Sequence, residues 1–182
     1  GERISEEDLG GASAHASVSG NIHFVAQSDR DAVKLVRTLL SYLPQNNLES
    51  PPDAPFSGPV GDDPAVDDLI PDDPRRSYDV KDVVAALVDP GSFLEVQRDW
   101  AMNIVVGFAR LGGMTVGMVA NQPAVLAGAL DIDASDKAAR FIRFCNVFNV
   151  PIVTLVDVPG FLPGVAQEHG GIIRHGAKML FA

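Results

Sequence analysis

The sequence has a single cysteine, Cys145, so no intrachain disulfide is possible and no zinc-type ligand spacing exists. Flanked by apolar positions of a helical stretch, that thiol reads as a packing side chain rather than a nucleophile. Basic residues are few: 14 Lys and Arg stand against 24 Asp and Glu, a formal net charge of −10. No basic stripe is present, which argues against a nucleic-acid groove as the main function. No apolar run reaches the length of a membrane span. The phosphate-loop pattern G-x-x-x-x-G-K-[ST] is missing, and so is an Asn-Lys-x-Asp base-reading motif. The acidic run "DDPAVDDLIPDD" lacks the alternating D-x-D-x-D-G pattern and distal Glu of a calcium loop, so it reads as solvated charge and no metal site is assigned.

What is present suffices for a packed core. Hydrophobic residues make up 46% of the chain and charged residues 21%, an ordinary globular balance. Three zones follow one another. Residues 1–47 open on the Gly/Ser/Ala-rich "LGGASAHASVSGNIHFVAQ". The stretch "DRDAVKLVRTLLSYL" then places Val33, Val36, Leu39, Leu40 and Leu43 at helical spacing, with Asp29 as the expected N-cap and Pro44 as the stop. Residues 48–77 are rich in Pro, Gly and Asp and read as an extended linker or a wrapped surface loop.

From residue 78 the pattern becomes globular. "YDVKDVVAALVD" predicts a short helix capped by Asp79. "NIVVGFARLGGMTVGMVAN" predicts a β-hairpin turning at Gly112-Gly113. "ASDKAARFIRFCNVFN" predicts a helix with Ala138, Phe141, Ile142, Cys145 and Phe148 on one face and Ser135 as N-cap. "PIVTLVD" reads as a strand buried on both faces. The loop "VPGFLPG" and a helix over "AQEHGGIIRHGAKMLFA" complete an α/β unit, whose site is expected where the strand's C-terminal end meets loop and helix. The chain opens on Gly1 and closes inside that amphipathic stretch, so an internal piece of a longer protein is expected.

The segment "DVPGFLPGVAQEHGG" invites two chemistries. Asp157-x-x-Gly160 is the spacing of a nucleotide-hydrolase switch, but its phosphate-binding companion is absent. Alternatively Gly160, Gly164, Gly170 and Gly171 let the backbone approach a ligand closely, its N–H groups stabilise an enolate or a ureido oxyanion, and Phe161 and Leu162 supply an apolar wall. A plain strand–loop–helix connection with turn glycines fits the composition equally well.

Longer stretches decide between these. "FIRFCNVFNVPIVTLVDVPGFLPGVAQEHGGIIRHGAKMLFA", "SYDVKDVVAALVDPGSFLEVQRDWAMNIVVGFARLGG", "VGMVANQPAVLAGALDIDASDKAARF" and "GERISEEDLGGASAHASVSG" resemble the carboxyltransferase (β) subunits of biotin-dependent acyl-CoA carboxylases, propionyl-CoA carboxylase β chains among them. The resemblance runs through nearly the whole chain apart from the linker. It implies a crotonase-like (ClpP-type) α/β fold. Residues 1–47 would end an N-terminal carboxyltransferase domain, 48–77 would link, and 78–182 would begin a C-terminal domain.

The implied activity is transfer of a carboxyl group from carboxybiotin to the α-carbon of an acyl-CoA such as propionyl-CoA or acetyl-CoA. Biotin would arrive covalently bound to a biotin carboxylase and carrier subunit. The active site would lie at the dimer interface of a homo-oligomer, in the cytoplasm of a bacterium or the mitochondrial matrix of a eukaryote. Alternatives within reach are a biotin-dependent decarboxylase subunit, another crotonase-type acyl-CoA enzyme, or a non-catalytic interaction fragment.

Carried residue by residue, the resemblance assigns the biotin side to Gly160, Phe161, Gly164 and, more weakly, Gln167. It places Gly10, Gly11 and His15 at the active-site border. No side chain here is assigned as catalytic, because biotin itself takes the α-proton; the resemblance implies that the family's first-domain oxyanion segment and its second-domain "GGAY" counterpart lie outside this sequence. Asn121 to Pro123 match a strand-end motif with a structural role, and Asp157 is read as a structural strand-end residue. Arg174 and His175 are read as subunit contacts or solvated groups. Asn146 stands where relatives carry Asp.

Overall fold

The alternation of apolar runs and glycine turns in residues 94–121 is realised as a meander. The computed structural model describes residues 1, 3–56, 58, 64–73 and 75–182. Strands β1 (Leu94–Val96), β2 (Ile104–Leu111), β3 (Met114–Asn121) and β4 (Ile152–Leu155) form one open sheet in the order β1-β2-β3-β4. The first two pairings are antiparallel and β3–β4 is parallel. The hairpin closes at Gly112 and Gly113 with φ of +59° and +85°, the two left-handed positions such a turn requires. Both turn N–H groups donate to the Asp89 carboxylate, at 2.8 and 2.7 Å.

Helix α5 (Ile132–Val147) crosses from β3 to β4, as a parallel pair demands. Its inner face, Ala134, Ala138, Phe141 and Cys145, is buried against the sheet. Gly117 makes the close approach possible, since a Cβ there would lie 2.7 Å from the Cys145 Sγ. Helix α4 (Val80–Leu87) is capped by Asp79, whose carboxylate accepts the Lys81 N–H at 2.8 Å. Ahead of these stand α1 (Glu6–Gly10), α2 (Ala12–Ser17) and α3 (Asp29–Leu40); behind them come α6 (Val165–Gly170) and α7 (Ile172–Leu180).

Four expectations need correction. The N-cap of α3 is Ser28, not Asp29: Ser28 has extended backbone and its hydroxyl accepts the Asp31 N–H at 3.2 Å. Helix α5 starts at Ile132 because the Asp131 carboxylate caps it, accepting the Ala134 N–H at 2.9 Å. Ser135 lies inside, donating back to the Asp131 carbonyl. Strand β4 is the outer strand of the described sheet, so Ile152 is 37% and Val156 73% exposed instead of buried on both faces. The terminal helix is two helices, broken where Gly171 turns left-handed (φ 90°, ψ 44°).

The Pro/Asp-rich zone is a wrapped loop over the part nearest the sheet. Arg110 donates to the carbonyls of Ser41 and Pro52, Ala54 pairs with Gly113, and Asn149 donates to the carbonyls of Asn47 and Glu49. The acidic run contains a 3-10 turn at Pro64–Leu69; its first two residues, 62 and 63, lie outside the described residues.

A feature the sequence reading passed over sits beneath this assembly. Lys137 on α5 is 1% exposed. Its ammonium donates to the carbonyls of Gln97 (2.9 Å), Trp100 (2.8 Å), Ile104 (2.8 Å) and, at 3.3 Å, Ala101. Burial pushes its pKa down to about 8, with Glu95 and Asp99 pulling up and Lys81 down. The loop it holds has Gln97 and Ala101 in the left-handed region. That loop receives the N-terminal segment: Gln97 donates to the Gly20 carbonyl at 2.6 Å and to the His23 carbonyl at 3.0 Å. The Trp100 ring lies against Gly20, where a Cβ would overlap it.

Replacing Lys137 by Met removes the donor and leaves several buried carbonyls unpaired at about 1 kcal/mol or more each. Lys137→Met is expected to lower stability by about 3 kcal/mol, read as a fall in the urea unfolding midpoint.

Candidate functional site

The loop after β4, residues 157–164, is the best-defined candidate, and its shape comes from what grips it. At its start the Asp157 N–H donates to the Asn121 Oδ1 at 2.7 Å, and the Asn121 Nδ2 donates to the Asp157 carbonyl. One carboxamide thus satisfies both polar atoms of one residue's backbone, as a neighbouring strand would. The Tyr78 hydroxyl donates to the Asp157 carboxylate at 2.9 Å.

At its middle the loop pairs with Leu130. The Leu130 N–H donates to the Gly160 carbonyl at 3.0 Å, and the Leu162 N–H donates to the Leu130 carbonyl at 2.8 Å. In such a parallel bridge the residue between, Phe161, turns its own N–H and carbonyl to the opposite edge. Gly160 and Gly164 have φ of 140° and 144°, with open space where a Cβ would stand. Phe161 is 51% exposed, and its ring rests on Gly176 of α7, where a Cβ would lie 2.5 Å from it.

The surrounding helices are tied down in turn. The Gln167 Oε1 accepts the Ile132 N–H at 3.0 Å, joining α6 to the start of α5. Asp136 on α5 accepts from Lys178 at 2.6 Å and pairs with His175 at 2.9 Å, joining α7 to α5. Burial pushes the Asp136 carboxyl up, but the hydrogen bonds from Lys178 and His175 outweigh it and hold the group below its ordinary range. His175 therefore works within the chain.

The other sequence-read candidates lie elsewhere. Gly10 and His15 are neighbours, since a Cβ on Gly10 would lie 3.5 Å from the His15 Nε2. Gly11 ends α1 and opens α2. The His15 Nδ1 is hydrogen-bonded to the Ser19 hydroxyl at 2.8 Å, with Asn21 at 3.4 Å. A groove of about 910 Å³ beside α2 is lined by Glu7, Ser13, Ser17, His23 and Asp99 among others, and by none of residues 157–164. Gly160, Phe161 and Gly164 are thus brought together on one loop, with Gln167 bracing it, while Gly10, Gly11 and His15 form a separate group.

This donor set is unusual for an active site. Among the described residues no group of three His, Cys, Asp or Glu is placed to hold a metal ion. Cys145 is fully buried, and burial pushes its thiol up to about 12. What the loop offers is backbone edge and an aromatic wall, which suits a neutral planar group with a polar carbonyl better than a cation or a nucleophile's target. Leu130 and Tyr78 escaped the sequence reading. Leu130 acts through backbone, which leaves no mark in side-chain chemistry. Asn103, Asn121 and Gln122, polar residues at the ends of apolar strand runs, were the visible signal. All three are buried, and Asn103 donates to the Ala129 carbonyl at 2.9 Å, setting the segment that carries Leu130.

The Tyr78 proton has a pH signature. Burial, the hydrogen bond to Asp157 and that carboxylate's charge push Tyr78 up to about 12. The folded state holds this proton more tightly than the unfolded state does, so its contribution is complete below about pH 10 and is lost as pH rises towards 12. The stability difference between wild type and Tyr78→Phe is expected to be constant below pH 10 and to shrink above it, measured by denaturant unfolding at stepped pH.

Comparison with known proteins agrees with this architecture. The Carboxyl transferase domain model matches residues 1–182. A propionyl-CoA carboxylase carboxyltransferase subunit from Haloferax mediterranei is 56% identical over 183 aligned residues, covering 100% of this chain and 36% of the relative. A methylmalonyl-CoA decarboxylase subunit alpha from Veillonella parvula is 57% identical over 187, covering 100% and 36%. Among solved structures, the transcarboxylase 12S hexamer with methylmalonyl-coenzyme A bound superposes with a TM-score of 0.97 at 54% identity, over 99% of this chain and 35% of that one. The chain thus spans about a third of the length of these relatives. The described sheet and helices are the corresponding part of their crotonase-like α/β fold, and the chain belongs to the carboxyl transferase domain family.

Proposed function

We propose that the protein containing this chain is the carboxyltransferase component of a biotin-dependent acyl-CoA carboxylase, and that residues 157–164 form its biotin-side loop. The observation that carries the reading is the one-sided grip on the loop. Leu130 takes the Gly160 carbonyl and the Leu162 N–H, and Asn121 takes both backbone groups of Asp157, which leaves the edge at Phe161 and the half-exposed Phe161 ring for a ligand. Gly160 and Gly164 keep that edge free of side chains, and Gln167 holds α6 in place beside it.

Carboxybiotin, borne covalently by a partner subunit, supplies the carboxyl group and the ureido nitrogen that accepts the acyl-CoA α-proton. The part of this chain is electrostatic and steric. Backbone N–H groups of the loop would stabilise the negative charge that grows on the ureido oxygen. Fixed donors of this kind need no reorganisation and are worth several kcal/mol in a water-poor site. The Phe161 ring would cover one face of the bound group and exclude water from it. Nothing in this scheme needs a titrating side chain from this chain, in keeping with the loop's composition.

Residues 1–47 then belong to the end of a first domain, 48–77 to a linker and 78–182 to the start of a second. Gly10, Gly11 and His15 border the acyl-CoA side, and a first domain facing the second domain of another protomer would bring the two groups together in a homo-oligomer. The 12S relative, a hexamer that binds methylmalonyl-coenzyme A, supports an oligomer that takes an acyl-CoA. No helix among the described residues is long and apolar enough to cross a membrane. The bacterial and archaeal relatives support a cytoplasmic site in a bacterium, with a mitochondrial matrix site if the source is a eukaryote.

The 57% identical decarboxylase subunit favours a second reading, in which carboxyl transfer runs from acyl-CoA to biotin. Incubating the full-length protein with its biotinylated partner, ATP, bicarbonate and propionyl-, acetyl- or butyryl-CoA separates them. ATP-dependent carboxylation of at least one acyl-CoA is expected. No carboxylation, together with ATP-independent loss of the carboxyl group from methylmalonyl-CoA, would establish the decarboxylase instead. Phe161→Ala is expected to raise KM for the biotinylated partner about tenfold, the equivalent of roughly 1.4 kcal/mol of lost ring contact.

A further inference from the structure

We infer that Asn121 is the positioning residue of the biotin-side loop: its carboxamide sets where the Gly160–Phe161 edge stands. The inference rests on the functional reading above.

Asn121 is the last residue of β3 and is 6% exposed. The parallel ladder between β3 and β4 stops at Ala120 opposite Leu155. Past that point the Asn121 side chain replaces the ladder. Its Oδ1 takes the Asp157 N–H and its Nδ2 gives to the Asp157 carbonyl. The chain is therefore held for two residues beyond the sheet and then released at a defined point and direction. A ladder of backbone bonds would have carried it straight on.

The space for this amide is cut to size. Gly128 has φ +76°, and a Cβ there would lie 2.5 Å from the Asn121 Nδ2 and 3.1 Å from the Asp157 carbonyl oxygen. The preceding Leu126 and Ala127 hold φ of 51° and 52°, a costly conformation for residues with side chains that persists where surrounding structure enforces it. Two residues beyond Gly128 stands Leu130, which grips Gly160 and Leu162. A single segment, residues 121–130, thus carries both grips on the loop: a side-chain grip at Asp157 and a backbone grip three to five residues later. Next to Asn121, Gln122 accepts the Val80 N–H at 3.0 Å and donates to Asp79 at 2.7 Å, fixing the stretch that bears Tyr78. Tyr78 then takes the Asp157 carboxylate. Asn121 is the member of this set that touches the loop's backbone from a buried side chain, and it needs both an acceptor and a donor at one site. Asp supplies the acceptor alone and sets an anionic oxygen against the Asp157 carbonyl.

The test uses the full-length protein with its biotinylated partner and the variants Asn121→Ala and Asn121→Asp. The expected result is a split. KM for the biotinylated partner rises about tenfold or more in Asn121→Ala and at least as much in the isosteric Asn121→Asp, whose carboxylate opposes the Asp157 carbonyl, while KM for acyl-CoA stays within about twofold. Amide hydrogen exchange without ligand is expected to rise over residues 157–162 in both variants, in the same order, with α5 unchanged. Parallel changes in both KM values, or unaltered exchange in the loop, would overturn the inference. If one variant fails to fold, the exchange pattern of the other decides. If wild type transfers no carboxyl group to or from biotin, the functional reading falls, and the exchange pattern alone decides on Asn121.

Discussion

A protonated lysine buried beneath the sheet holds the rest of this structure in register. Lys137 draws the carbonyls of Gln97, Trp100 and Ile104 onto one ammonium. It thereby shapes a loop that no regular ladder supports, and two consequences spread from it. On one side the loop becomes the seat of the N-terminal segment through Gln97 and the Trp100–Gly20 stack. On the other it leads into Asn103, which grips the Ala129 carbonyl and the Asp131 carboxylate. Asp131 in turn caps the helix on which Lys137 itself stands. The circuit is closed: α5 fixes the loop, the loop fixes Asn103, and Asn103 fixes the start of α5. Burying the charge is tolerable because several carbonyl dipoles replace its water.

The candidate site inherits this order. Leu130 sits between Ala129 and Asp131, so the residue that pairs with Gly160 and Leu162 is placed by Asn103 on either flank. Asn121 fixes the entry of the loop and Leu130 its centre. Alpha7 is drawn against α5 by Asp136 and presents Gly176 beneath the Phe161 ring. The result is a backbone edge and an aromatic face held by buried polar groups, with no ionisable group in the loop's outer edge. That suits work by preformed dipoles, and it accounts for the absence of an acid–base pair from the proposed scheme.

Much of this was legible in the sequence. The hairpin at Gly112-Gly113, the cap at Asp79, the apolar face of α5 and the loop after β4 follow from local chemistry. The resemblance that supplied fold and family rests on long contiguous stretches. What escaped reading was set by tertiary structure. Ser28 displaced its neighbour Asp29 because the two differ only in which backbone turns extended, and Asp131 displaced Ser135 by starting α5 a turn earlier. Strand β4 has the composition of a doubly buried strand, yet its exposure depends on neighbours that local sequence does not report. Gly170-Gly171 allows a helix break without demanding one. Lys137 reads as one more charge on a helix, because nothing local marks the ring of carbonyls that awaits it. Leu130 contributes only backbone, which every residue has. Gly160, Phe161 and Gly164 were visible as chemistry, whereas the groups that aim them were not.

The central claim is that the outer edge of the 157–164 loop receives biotin. A crystal structure of the full-length protein soaked with biocytin tests it most directly. The account predicts the bicyclic ring against Phe161, with its ureido carbonyl within hydrogen-bonding distance of backbone N–H groups of the Gly160–Gly164 stretch. Biocytin bound with its ring remote from this loop, or bound through the inner edge that Leu130 occupies, would contradict it.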